Sequence, residues 1–161
     1  MTKRDDDDEL TAQRGAPGGV TLFDHAEISA ALAEGDHTEA EILEARGLSA
    51  ATWQEASLFW MQRMGDDVRD HAEKARMPLV YSDAFSAAQD GLKPLPPMDA
   101  EGYAALTADV LRAGGPAEPL ARRGLSQADF LRLGRHFARV LSTDPAENKV
   151  FQDAFERLMG G

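Results

Sequence analysis

The sequence has no cysteine, so it offers no disulfide framework, no thiolate nucleophile and no cysteine-ligated zinc. Long apolar runs are missing too, and none approaches the roughly 20 residues that a membrane-spanning helix needs. Met1 to Leu10 carries five consecutive acids, Asp5 to Glu9, where a secretory signal would have its apolar core. Bases are scarce: 17 lysines and arginines stand against 28 acids, a net charge of −11. Such a chain repels nucleic-acid phosphates and anionic lipid, so neither is expected as a partner. These absences point to a soluble cytoplasmic protein, and 161 residues suffice for one compact domain or two small halves.

The charge is lopsided. Residues 22–75 hold twelve acids and four bases, a balance of −8, whereas residues 98–161 hold nine acids and eight bases, a balance of −1. The first half therefore suits a basic protein surface, or uses its acids only for solubility. Ahead of it, Asp5–Glu9 is followed by Gly15, Pro17, Gly18 and Gly19. That composition buries too little apolar surface to offset the entropy of ordering, so residues 1–20 are expected to form a disordered acidic arm.

What is present is a pattern written twice. Gly47-Leu48-Ser49 returns 77 positions later as Gly124-Leu125-Ser126, and the flanks match residue by residue. Leu43 corresponds to Leu120, Trp53 to Phe130, Ala56 to Leu133, Trp60 to Phe137 and Met64 to Leu141. Helix stop and start signals recur around it. Asp24 with Glu27, and Thr38 with Glu41, have the residue types of capping boxes, and Gly35 and Gly47 close the helices they begin. Gly65-Asp66-Asp67 interrupts or caps the helix that Ser49 opens, and Met77-Pro78 ends the next. A short helix over Asp83–Gln89, capped by Ser82 and stopped at Gly91, precedes a proline-rich connector at 92–97.

The second copy follows the same plan. Asp99 starts a helix with Tyr103, Leu106, Val110 and Leu111 inward, Pro116 opens a short helix carrying Leu120, and Ser126 with Asp129 caps a long one. Asp144-Pro145-Ala146-Glu147 starts the last helix, which presents Phe151, Ala154, Phe155 and Leu158. No stretch alternates long enough to argue for strands. The expected fold is all-α, with two tandem copies of about four helices each, at 21–91 and 98–161, packed into one compact bundle with their aromatic stripes facing each other.

The two long helices differ on their outer sides. In the second copy Phe130, Leu133, Phe137 and Leu141 point one way and Arg132, Arg135 and Arg139 the other. In the first, Trp53, Ala56, Trp60 and Met64 share a face, yet Leu58, Phe59 and Met61 lie well off it. That helix is either buried all round, which the need to pack against a neighbour favours, or it offers an apolar surface to a partner. Leu58, Phe59, Met61, Arg132, Arg135 and Arg139 are accordingly the candidate partner-binding residues.

Chemistry-bearing constellations are thin. His25 is expected in an exposed first turn of a helix. His37 with Glu41, and Asp67 with His71, are four apart and supply two ligands each, short of the three protein ligands that a catalytic zinc uses. A metal- or small-ligand-binding bundle built on these four remains the alternative function, and no cofactor is expected. There is no Gly-x-Ser-x-Gly elbow, the Gly15–Gly19 stretch lacks the lysine of a phosphate loop, and Ser49 and Ser126 stand where caps belong. The Arg122-Arg123 pair and the arginine stripe lack interleaved aromatics, so an acidic protein surface fits them better than nucleic acid.

The pattern Leu-x-x-x-Gly-Leu-Ser-x-x-x-(Trp/Phe), at Leu43–Trp53 and Leu120–Phe130, resembles uncharacterised bacterial helical-repeat proteins found beside secretion-system or toxin genes. The resemblance covers most of residues 22–161. It implies a non-catalytic accessory role, as adaptor, effector chaperone or immunity protein, with a secreted effector or a secretion-system component as partner. It carries over no binding residues. A homodimer, or self-assembly of acidic first halves on arginine faces, is the structural alternative.

Overall fold

The short helices before Gly47 and Gly124 end in the same way. In the computed structural model, which describes residues 16–160, these glycines adopt φ of 67° and 64°. That left-handed conformation costs glycine nothing and lets the chain close a Schellman motif. The amide of Leu48 donates to the Leu43 carbonyl at 2.9 Å, and that of Leu125 to Leu120 at 3.0 Å. Ser49 and Ser126 follow at once as N-caps, accepting from the amides of Thr52 and Asp129 at 3.1 and 3.0 Å. The repeated motif is thus a helix stop joined to a helix start, with Leu43 and Leu120 buried and Leu48 and Leu125 packed beside them.

The described residues form eight α-helices and two short 3-10 turns, with no strand among them, so the protein is all-α. It divides into two compact units at Leu92/Lys93. The first contains α1 (Leu22–Glu34), α2 (Glu39–Ala45), α3 (Ala50–His71) and α4 (Met77–Leu92). The second contains α5 (Ala100–Ala113), α6 (Ala117–Arg122), α7 (Gln127–Thr143) and α8 (Pro145–Met159). Within each unit the first helix packs chiefly against the last. The second helix touches the first and third, and the third also meets the first and last.

Each aromatic stripe is buried by helices of its own unit. Trp53 packs with Ile28, Ile42 and Leu43, while Trp60 packs with Leu22 and Met77. Leu133 and Phe137 pack with Ala100, Leu106 and Leu120, and the Tyr103 ring stacks on Phe137 at 4.4 Å. Neither stripe needs the other for its burial, contrary to the expectation from sequence. Leu111 also departs from its inward assignment: about 100° round α5 from Val110, it faces solvent.

The start of the chain's first unit differs from the sequence reading. Residues 1–15 of the expected arm lie outside the described residues. Pro17–Gly19 forms a 3-10 turn, and Val20 is buried with its carbonyl accepting from Trp60 Nε1 at 2.9 Å. Helix α1 begins three residues ahead of Asp24's expected first turn, because the capping box is Thr21 with Asp24, at 2.9 Å in both directions. Glu27 instead pairs with Arg46 at 3.0 Å.

Two boundaries were displaced by tertiary contacts. Gly65 does not break α3: it costs about 1 kcal/mol against alanine, less than the two hydrogen bonds, at about 1.5–3 kcal/mol each, that Asp67 accepts from the turns beyond it. Pro78 does not end a helix but sits in the first turn of α4, where a missing N–H is no loss. The amides just ahead of it, Arg76 and Met77, donate to Asp67 at 2.8 Å each. Ser82 and Gly91 then lie inside α4, neither cap nor stop.

His25 is the third correction. With Leu22 buried, the next turn of α1 carries His25 inward to 5% exposure, where its ring stacks on Trp53 at 5.0 Å and tilts against Tyr81 at 5.4 Å. It joins the cluster around Trp53 to the cluster around Trp60. Its Nδ1 is buried without a hydrogen-bond partner, and burial lowers its pKa from the ordinary 6.5. The unfolded chain therefore binds the proton more readily than the folded one. The stabilising contribution is complete above pH 6.5 and is lost as pH falls below it, at no more than about 1.4 kcal/mol per pH unit for one proton. We expect the urea midpoint to drop between pH 7 and pH 5, and the drop to flatten in His25→Leu. An equal slope in the variant would assign the effect elsewhere.

Candidate interaction surface

Helix α3 has one face committed to the core and another committed to nothing in its unit. Trp53, Ala56 and Trp60 recur at three and four residues and are buried. Leu58, Met61, Gly65 and Val68 recur at the same spacing on another side. Leu58 and Met61 are each 61% exposed and Val68 is 49% exposed. At Gly65 an added Cβ would meet open space. A ridge of this spacing is what packs against another helix in a coiled coil. The corresponding positions of the second unit carry Arg135, Ala138, Ser142 and Pro145, which form no such ridge.

The expectation of burial all round is thus overturned for two of the three apolar residues, and Phe59 belongs elsewhere. Its ring is half-buried, edge-on to Trp60 at 5.1 Å with a near-perpendicular 88° between planes, and packs against the Leu22–Trp60–Met77 cluster. The Arg63 guanidinium covers both rings at 5.4 and 5.5 Å. Phe59 therefore supports the helix from the core side. Gly65 and Val68 were missed as surface residues; the signal was the same three-four-three spacing, hidden by reading Gly65-Asp66-Asp67 as a break.

Charges line the ridge. Glu55, Gln62 and Arg69 follow one another at seven-residue intervals along its flank and are exposed. Arg69 pairs with Asp66 at 3.0 Å and Asp70 at 3.4 Å, contacts within one helix surface that are worth a few tenths of a kcal/mol and exchange readily.

The arginine stripe of α7 is not the open partner-binding face expected. Arg132 is 2% exposed and donates to Asp129 at 3.2 Å; burial, with the charge of Arg135, holds its pKa below the ordinary value. Arg135 is half-buried, and only Arg139 of the three is exposed. Arg122 and Arg123 turn back onto α5, where Asp109 receives Arg123 at 2.6 Å, Arg122 at 3.8 Å and Arg112 at 3.9 Å. The hydrogen bond from Arg123, with the charges of all three arginines, lowers the Asp109 pKa against the opposing effect of burial. Arg46 plays the same part in the first unit, tying α2 to Glu27 of α1. Arg46, Arg122 and Arg123 thus tie neighbouring helices together.

The metal alternative finds no support in the geometry. His37 and Glu41 are 4.0 Å apart and exposed, while Asp67 and His71 are 2.8 Å apart with Asp67 committed to the start of α4. Among the described residues no three histidine or carboxylate side chains come together as ligands. Nor is any described helix long and apolar enough to cross a membrane.

Compared with protein-family models, curated proteins and solved structures, the chain matches none. Fold and surface therefore define its class directly: an all-helical protein of two four-helix units, one of which displays an apolar ridge on its longest helix.

Proposed function

We propose that the chain is a non-catalytic protein-interaction module that holds another protein against the outer ridge of α3. The observation that carries this reading is the exposure of Leu58, Met61 and Val68 in a row on a helix whose opposite face is firmly anchored. Rigid anchoring matters because a preorganised surface loses little entropy on binding. The side chains that could do chemistry are engaged in structure: Ser49 and Ser126 cap helices, Asp67 holds the start of α4, and Asp109 gathers arginines. The equivalent turns at Gly47 and Gly124, and the same order of helix contacts in both units, favour two copies of one helical unit, of which the first has specialised. An accessory protein of a bacterial secretion or toxin system, working in the cytoplasm as adaptor, chaperone or immunity protein, is the role that fits a binding surface without a reaction centre.

The test replaces Leu58 and Met61 with aspartate together. Both are mostly exposed, so each change should alter stability by no more than about 0.5 kcal/mol, read as a melting temperature that falls by a few degrees at most. Affinity capture with the tagged chain should lose its protein partners in the double variant. A capture pattern that survives the two charges would sink the reading.

A further inference from the structure

We propose that α3 is a self-recognition helix, and that a second copy of this chain covers the ridge by pairing its own α3 antiparallel to the first. The inference rests on reading the ridge as an interaction surface and adds what occupies it. In a two-fold antiparallel pair, residues equidistant from the axis face each other. Leu58 and Val68 both lie five positions from residue 63, and Met61 and Gly65 both lie two positions from it. One register therefore sets Leu58 against Val68 of the second copy and Met61 against the notch at Gly65, twice over. A large side chain meets a small one in each layer, and the open space at Gly65 admits the Met61 thioether.

The flanking charges agree with the same register. Glu55 and Arg69 are equidistant from Gln62, so Glu55 of each copy lies near Arg69 of the other while Gln62 faces Gln62. Relative to the axis at residue 63 the offset is two residues, about 3 Å along the helix, which a side chain as long as arginine spans. A parallel pair would instead put Glu55 and Arg69 on the opposite side of the interface from their copies, where they could not pair with one another. The ridge is short, so the dimer is of the small, weak class, about micromolar or weaker. Each chain carries a charge of −11, so added salt screens the mutual repulsion and tightens this dimer. A basic partner bound on the same ridge would loosen with salt.

Sedimentation of the full chain over a micromolar to sub-millimolar series should show a monomer–dimer equilibrium that strengthens with ionic strength. Gly65→Gln is the decisive variant. The added side chain finds open space in the single chain and favours helix over glycine, so the melting temperature should hold or rise by a few degrees. The same change plugs the notch and should weaken dimerisation at least tenfold. The chain has no native cysteine, so single cysteines report register cleanly. Gln62→Cys, beside the axis, should cross-link with a short bismaleimide. Glu55→Cys, eight residues from the axis and so about 24 Å from its own copy along the pair, should not.

A monomer at every concentration overturns the pairing and leaves the capture experiment on Leu58 and Met61 to judge the interaction reading separately. A dimer indifferent to Gly65→Gln, or Glu55→Cys cross-linking as readily as Gln62→Cys, overturns the antiparallel contact.

Discussion

Trp60→Ala is expected to cost about 3–5 kcal/mol, the cost of emptying a large buried aromatic site. Trp60 is fully buried, packs against Leu22 and Met77, and supports the half-buried Phe59 edge-on. Its indole N–H also satisfies the buried Val20 carbonyl, so the substitution orphans an acceptor as well as opening a cavity. Against a typical total of 5–15 kcal/mol this is enough to unfold a marginal unit. Hydrogen exchange should show α1, α3 and α4 losing protection. The helices of the second unit should keep theirs, because Leu106, Leu120, Leu133 and Phe137 form a core from that unit's own residues. Trp60→Phe retains most of the volume and loses the hydrogen bond, for roughly 1–2 kcal/mol. If alanine and phenylalanine destabilise equally, the packing account is wrong.

Asp67→Ala should be the next most damaging change, at roughly 2–4 kcal/mol. One carboxylate oxygen accepts the amides of Arg76 and Met77 at 2.8 Å each, and the other meets His71 Nδ1 at 2.8 Å. Without it the start of α4 is left with two unsatisfied donors just where Pro78 offers none. Burial pushes the Asp67 pKa up, but the amides of Met77 and Arg76, with His71, more than offset it, and the folded-state value lies below the ordinary 3.8. Its contribution is therefore present above pH 3.8 and lost as pH falls through the lower folded value. Asp67→Asn keeps one acceptor oxygen and should lose about half as much, read from urea midpoints at pH 7. Equal losses for alanine and asparagine would show that the carboxylate's charge, and not its geometry, sets the join.

The apolar ridge of α3 is half legible from the residues alone. Leu58 and Met61 stand out because the residues 77 positions on are Arg135 and Ala138. Phe59 was grouped with them because it is a neighbour in sequence, yet at 100° per residue it turns toward Trp60 and the core. Gly65 and Val68 are hidden because glycine followed by two acids reads locally as a helix end, and nothing local reveals that α3 runs through to His71 with Asp67 holding the start of α4. The arginines of α7 show the converse error. A charged stripe opposite an apolar one reads as solvated, but Arg132 is enclosed and held to Asp129.

Residues within about five positions of one another settled the all-α class, the stops at Gly35, Gly47 and Gly114, most of the serine, threonine and aspartate caps, and the inward stripes of α3 and α7. They could do so because caps, Schellman turns and helical faces depend on neighbours along the chain, which the order of residues states outright. Only the folded chain determined that His25 is enclosed between Trp53 and Tyr81, that Asp67 secures a helix beginning ten residues later, and that the ridge from Leu58 to Val68 lies open. Those outcomes depend on which distant segments arrive at a side chain and which do not, and burial, desolvation and exposure follow from that arrival.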